Sequence, residues 1–563
     1  MQDLINARFQ EGLAHHQAER FLEAQDAYGE VLTADPGHVE AWRLMSLLAD
    51  KFDRPDLARA WADKARALEP SEIHHLFGEA VALQQIGRPA EAEVRYRQVL
   101  ALAPQALEAN NNLGLVLTRL NRNAEAVVFF RRAVELSPGA PTFHNNLGIA
   151  LTDLDRHAEA EACFRAAANL DPHHVGARHN LGKSLHALGR LDEAGQVLQE
   201  ALRLKPDDPS ILNDMGVLLH RLGRVADAEM VYRAGLALAP ENASLHYNLG
   251  SILLKTGQHQ EGWAQYHWRW KTDDRPDSRV FTQPEWDGSP LAGGRLLIVA
   301  EQGLGDTLQF CRLAPLAVAR LAPDARLTIE VQRPLVSLLR DQWPGIEVIA
   351  QGDPLPAFDA YLPLLSLAGV LEQDHRTIDG APYLRPDPDR VAAWVQRLAP
   401  LKGLKVGLVW AGGRRPGQPD VDAVDKRRSV RLAQLALLAS VPDVAFVSLQ
   451  KDEPSQEART PPPGMTITDF TNDLTDFVET AAVVANLDLV ISVDTAVAHL
   501  AGAIGAPVWL LNRFDTCWRW ELEREDTPWY DQLRQFRQPT AGDWDSVVEA
   551  LTAALAERVQ AGA

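Results

Sequence analysis

Four sets of residues in this 563-residue chain have types and spacing suited to chemistry. The first closes an apolar run, Leu487 to Val493: Asp494 and Thr495 stop the run, the small residues Ala496 to Ile504 follow, and Gly505 ends them. That order predicts a buried parallel strand, a turn and a short helix. A helix start carries free backbone N–H groups and the positive end of the dipole, worth about 0.3–1 kcal/mol to an anion such as phosphate. Thr495 and Ala496 would present that start, and His499 shares the helix face of Thr495. The second set is Gln302, Gly303, Gly305 and Asp306 in the string EQGLGD. It follows a strand predicted for Leu296 to Ala300, at the carboxyl edge where α/β sheets hold ligands. The alternative is a plain strand-to-helix turn with Asp306 as N-cap of a helix over Thr307 to Leu321.

The third set is basic. Arg414, Arg415, Lys426, Arg427, Arg428 and Arg431 gather in a chain of net charge −20. A nucleotide diphosphate needs such compensation, and Lys426 and Arg428 are the expected phosphate contacts. Arg414 and Arg415 read as a charged surface loop. The Asp420 and Asp422 pair reads as a solvated loop feature, and no metal is expected. The fourth set is a ladder: Asn112, Asn146, Asn180 and Asn248 recur every 34 residues, with Asp214 on one rung. An amide offers two donors and two acceptor lone pairs, which suits an extended peptide backbone of any sequence. The alternative use is a contact between neighbouring repeats.

The elements that position these sets divide the chain. Prolines at 36, 70, 104, 138, 172, 206 and 240 keep a period of 34, that of the tetratricopeptide repeat, in which paired antiparallel helices stack. Glycines 114, 148, 182, 216 and 250 and alanines 92, 126, 160, 194 and 228 keep the same period. The large residues Tyr96, Phe130, Phe164, Leu198 and Tyr232 are expected to fill the space between repeats. About eight repeats make an α-solenoid over 1–270, the last ending in Trp263, Trp268 and Trp270 as a cap that docks the next domain. A Pro-, Gly- and Asp-rich linker, 271–294, leads to alternating strands and helices in two α/β lobes, 295–400 and 401–563. A terminal helix, Trp544 to Val559, is expected to return across the lobes.

Composition sets the exclusions. An excess of 76 acidic over 56 basic residues disfavours nucleic acid. Three scattered cysteines, Cys163, Cys311 and Cys517, suggest reduced thiols and a cytoplasmic protein. No run of 18 apolar residues predicts a membrane span, and the charged N-terminus does not read as a signal peptide.

Two resemblances give these sets roles. The repeats resemble the asparagine-ladder arrays of protein O-GlcNAc transferases, which implies a polypeptide held by the repeats. EQGLGDTLQFCRLAPL and DTAVAHLAGAIGAP resemble the signatures of heptosyltransferase-like (family 9/41-like) glycosyltransferases of the two-lobed GT-B fold. That resemblance implies that Asp306 is the general base on the acceptor side, and that Asp494, Thr495, Ala496, His499, Lys426 and Arg428 hold a nucleotide-sugar. Repeats joined to such a domain resemble bacterial protein glycosyltransferases, some acting on flagellin. The expectation is an inverting transferase with no cofactor beyond its co-substrate. The alternatives are a non-catalytic scaffold with a degenerate domain, or an enzyme directed to glycans or lipids.

Overall fold

The computed structural model describes residues 2–69, 71–272, 279–413 and 419–562, apart from the side chains of 419–421. Arg414 and Arg415, and the side chain of Asp420, lie outside them. The chain forms two compact units, Met1–Ile211 and Leu212–Ala563. The division falls inside the helix Pro209–Arg221 and not at the 271–294 linker, because the seventh and eighth repeats belong with the α/β region.

The first unit is an array of helix pairs of the tetratricopeptide type. In the pair Pro141–Thr152 and His157–Leu170, Gly148 lies under the Phe164 ring, so close that a Cβ there would sit 2.5 Å from it. Gly114 makes the same room for Phe130. The large residues therefore fill space within a repeat, against the glycine of its own first helix, and not between repeats as the periodicity suggested. Ala126 and Ala160 are fully buried in the second helices, where a larger side chain would push the pair apart. The proline period has a hydrogen-bond counterpart: six residues on, a side chain of the next helix donates to the proline carbonyl. Trp42 Nε1 reaches Pro36 O at 2.9 Å, Asn110 Nδ2 reaches Pro104 O at 3.2 Å and His144 Nε2 reaches Pro138 O at 2.9 Å. Each satisfies a carbonyl orphaned at a helix end. Arginines at 122, 156 and 190 precede second helices and pair with glutamates three residues on.

The second unit begins with the last repeats. The pair Ala243–Lys255 and His259–Tyr266 packs so closely that a Cβ on Gly250 would meet the Tyr266 backbone. Trp263 then enters the α/β core, its indole donating to Gln373 O at 2.8 Å, and Trp268 stacks on His246 at 3.9 Å. Two parallel sheets follow. The first, in order β3-β2-β1-β4, is built of β1 (Arg295–Val299), β2 (Arg326–Val331), β3 (Ile346–Ala350) and β4 (Ala360–Pro363). The second, β10-β9-β8-β5-β6-β7, is built of β5 (Leu404–Val409), β6 (Val444–Ser448), β7 (Ile467–Asp469), β8 (Leu489–Val493), β9 (Val508–Asn512) and β10 (Leu533–Arg537). All ladders among them are parallel. The central strands are buried on both faces, which is why they read as unbroken apolar runs.

Several sequence expectations are corrected here. The first-lobe helix begins at Leu304, three residues before Thr307, and breaks after Phe310. Asp422 lies in a helix, Pro419–Arg428, and not in a loop; it ion-pairs with Lys426 at 2.6 Å. β10 falls in a segment whose polar LRQFR pattern hid it, since Gln535 and Arg537 serve hydrogen bonds at a sheet edge. The terminal helix Trp544–Gln560 packs on the second sheet's own core, with Leu551 and Leu555 fully buried, and does not return across the lobes.

Phe164→Ala leaves a void over Gly148 and is expected to cost about 3–5 kcal/mol of the first unit's stability, read as a lowered urea midpoint with an unchanged midpoint for the α/β region.

Candidate functional site

In each sheet the chain turns in opposite directions from a central strand, which leaves a crevice at the carboxyl ends of two neighbours. In the first sheet the crevice lies between β1 and β4. In the second it lies between β5 and β8. The sequence-selected residues fall at both.

At the first crevice the turn after β1 carries Glu301 to Asp306. Gly303 is the N-cap and Asp306 the third residue of the helix Leu304–Phe310, so Asp306 does not cap in the expected way; its Oδ2 accepts from Gly303 N at 2.8 Å instead. Gln302 donates to Tyr266 OH at 3.2 Å and its carbonyl accepts from Gln332 at 2.7 Å. Glu301 fills the crevice itself. It is buried and accepts from Leu364 N at 3.1 Å, from Leu365 N at 3.4 Å and from Arg269 at 2.6 Å. Burial pushes its carboxyl above the usual carboxylate range, and the Arg269 charge opposes that. Arg269 follows the last repeat, so this pair joins the repeats to the first lobe.

At the second crevice Thr495 precedes the helix Ala496–Ala503, without a side-chain cap bond; its hydroxyl lies 3.0 Å from Ser492 Oγ. His499 is 4% exposed. Its Nδ1 meets Tyr530 OH at 2.9 Å, its Nε2 lies 3.7 Å from Asp494 Oδ1, and its ring stacks on Trp520 at 5.3 Å. Burial pushes the Asp494 carboxyl up, but the His499 contact and the charges of Arg428 and Arg519 outweigh it and hold the carboxyl well below the usual range. Opposite Asp494 runs the turn after β5, where a Cβ on Gly412 would meet Asp425 and Arg428 at about 3 Å. Arg428 ion-pairs with Asp425, and its charge acts on Asp494. Lys426 cannot share that direction, because residues two apart on a helix point to different sides. It stands 72% exposed.

The two helix starts touch. A Cβ on Gly305 would sit 2.7 Å from His499 and 3.5 Å from Ala496 Cα, so only glycine permits this approach. Arg519, which sequence reasoning passed over, closes the contact. It hydrogen-bonds Asp306 Oδ1, donates from Nε to Gln309 Oε1 at 2.9 Å, approaches Cys517 Sγ at 2.9 Å and lies 4.2 Å over the Trp518 ring. Its guanidinium is buried, which lowers its pKa, but Asp306 first, then Cys517, Tyr266 and Asp494, more than reverse this. The available signal was a cation inside an aromatic string, CWRW. Asp306, Asp494, His499 and Arg519 thus form one cluster, while Lys426 stands apart from it.

The ladder residues are half-buried. Asn146 Nδ2 donates to Asn111 Oδ1 at 2.9 Å and Asn180 Nδ2 to Asn145 Oδ1 at 3.1 Å, each pair joining neighbouring repeats of the first unit. Asn112 Nδ2 contacts Tyr96 OH at 3.3 Å within its repeat array. In the second unit Asn248 donates to Asn213 at 2.9 Å, and Asp214 accepts from Asn213 at 3.4 Å. The amide donors therefore stitch repeats together.

Comparison with known proteins agrees with both halves. Residues 9–73 match a tetratricopeptide repeat family, residues 71–269 the Cilia and flagella-associated protein 70 C-terminal domain, and residues 443–536 glycosyltransferase family 9 (heptosyltransferase). Protein FlbA of Caulobacter vibrioides is 31% identical over 331 residues, 53% of this chain. The chain spans about half, 52%, of that relative's length. Among solved structures, MamA 41-end from Desulfovibrio magneticus RS-1 is 19% identical over 30% of this chain and 95% of its own, with a TM-score of 0.26. A thermophilic TPR protein of Thermus thermophilus, TTC0263, is 24% identical over 32% of this chain and 99% of its own, with a TM-score of 0.28. The chain thus joins tetratricopeptide repeats to a glycosyltransferase family 9 domain.

Two measurements probe the cluster. Arg519→Ala strands the half-buried Asp306 and is expected to cost about 3 kcal/mol, the low end for a broken buried pair, seen as faster amide exchange in the helix Leu304–Phe310. Because the Asp494 carboxyl titrates below its unfolded value, its stabilisation is complete above the ordinary carboxylate range and fades as pH falls through and below it. Asp494→Asn is expected to flatten the acid limb of stability against pH.

Proposed function

We propose that the chain is an inverting glycosyltransferase of the GT-B type that moves a sugar from a nucleotide-sugar donor to Ser or Thr of a protein acceptor held by the repeats. One observation carries the reading: the helix starts that follow β1 and β8 touch, with a carboxylate on one side and an anion-favouring start on the other. Asp306 takes the hydroxyl proton of the acceptor as its oxygen bonds to the anomeric carbon. The bond from that carbon to the nucleotide diphosphate breaks, and the diphosphate leaves with its electron pair. The N–H groups at Thr495 and Ala496, with Arg428, stabilise that charge, so this reading needs no metal. Gln302, Gly303 and Gly305 border the acceptor hydroxyl. His499 holds Asp494 in place. A cytoplasmic setting agrees with three unpaired thiols, and none of the described helices is long and apolar enough to cross a membrane. Flagellin is the acceptor we propose first, on the architecture's resemblance to flagellin-modifying transferases.

One observation favours a second reading. Asp306 is held by Arg519, and a base so occupied suits a scaffold whose transferase domain no longer acts. A panel of nucleotide-sugars separates the two by thermal stabilisation. A ligand at 100 times its dissociation constant contributes about 2.7 kcal/mol, and the transferase reading expects one nucleotide class to do so, with Arg428→Ala losing the effect and chelation by EDTA leaving it intact. Absence of any response selects the scaffold.

A further inference from the structure

A second group of charges lies on the other side of the helix Pro419–Arg428. Arg428 pairs with Asp425 and its charge acts on Asp494, whereas its neighbour Arg427 approaches Asp515, with Nε 3.3 Å from Oδ2. Arg513, in the turn after β9, reaches the same carboxylate at 3.2 Å. Arg221 and Lys255 approach from the last two first-helices of the repeats; both interact with Asp515 and Arg513, and Lys255 also touches His220. Arg427, Arg513 and Lys255 share the Asp515 carboxylate.

The surplus is costly because Lys255 is buried and Arg513 and Arg427 are half-buried, the latter 31% exposed. Arg513 is 14% exposed and its Nη1 has no hydrogen-bond partner; Arg427 Nε, though near Asp515, lacks hydrogen-bond geometry. Burial and the neighbouring cations push the Lys255 ammonium down to about 7 and the His220 imidazole to about 3. Buried cations that crowd one another in a protein of net charge −20 call for a second anion.

Position argues what brings it. Arg221 and Lys255 are one repeat apart, and each lies seven residues, two helical turns, beyond Asp214 and Asn248 of the ladder. The cluster thus continues the ladder face of these helices toward the helix that carries Arg428. We propose that Arg427, Arg513 and Lys255 form a binding site for an acidic side chain of the acceptor polypeptide, next to the residue that is modified. The guanidinium planes suit a carboxylate through charge-assisted hydrogen bonds. The proposal rests on the acceptor being a protein, as proposed above.

The test uses the full chain with a short synthetic peptide of alternating serine and glutamate, the same peptide with glutamine, and inorganic phosphate, all at fixed ionic strength. The glutamate peptide is expected to bind by calorimetry at least tenfold more tightly than the glutamine peptide, and Arg513→Ala to erase that difference. Asp515→Asn removes the internal competitor. It is expected to lower the melting temperature of the free chain and to be rescued by the glutamate peptide, which binds this variant more tightly than the parent. Equal binding of the two peptides, response to phosphate alone, or an Asp515→Asn variant that the glutamate peptide does not rescue overturns the site. Nucleotide-sugar stabilisation in the same samples reports separately on the transferase reading, because Arg428, not this cluster, belongs to the donor site proposed above.

Discussion

Two helix starts can meet in this protein because Gly305 has no side chain. The positive ends of two helices, Leu304–Phe310 and Ala496–Ala503, are brought together at van der Waals distance, with the His499 ring and the Ala496 backbone where a Cβ would be. Like ends of dipoles repel, and the pair is held by the negative charges placed between them: Asp306 on one start and Asp494 on the other. Arg519 then neutralises the carboxylates from the side. Everything at the candidate site follows from this arrangement. It orders the carboxylates and buries His499 against Trp520 and Tyr530.

The same logic of charge buried only with a partner recurs at the joint with the repeats. Arg269 leaves the last repeat and enters the first lobe, where Glu301 and Ser366 receive it. Glu330 is likewise buried and receives Arg279 in a two-pronged contact of 2.7 and 2.8 Å. Breaking either pair would strand a buried carboxylate, so the Arg269 contact fixes the docking of the cap, and the Arg279 contact that of the linker, more sharply than apolar area alone would. Trp263 adds the apolar part, edge-on to both Phe310 and Trp518.

Much of this was legible in the residues. The 34-residue period named the repeat, because each unit meets an identical neighbour and must repeat its packing residues. The apolar runs at β1, β5, β8 and β9 gave parallel strands, since both faces are covered and no polar alternation remains. Their helix and loop punctuation located Gly303 to Asp306 within three residues and Asp494 to His499 within one. What escaped was every feature whose reason lies on another segment. β10 is polar because its glutamine and arginine serve bonds to the turn after β9. Lys426 and Arg428 look alike in the string but are separated by helical rotation. Three of the ladder asparagines, Asn146, Asn180 and Asn248, spend their donors on residues 35 positions earlier.

The sequence by itself determined the classes of element and their order: stacked helix pairs, then two parallel α/β lobes, with glycine and aspartate at one strand end and a helix start at another. Local propensity, burial periodicity and turn chemistry act over a few residues, so they survive reading along the chain. Only the tertiary structure decided which charges meet. Arg519 lies 213 residues from Asp306, and the strength of a buried ion pair depends on distance and on excluded water, neither of which is a property of position along the chain.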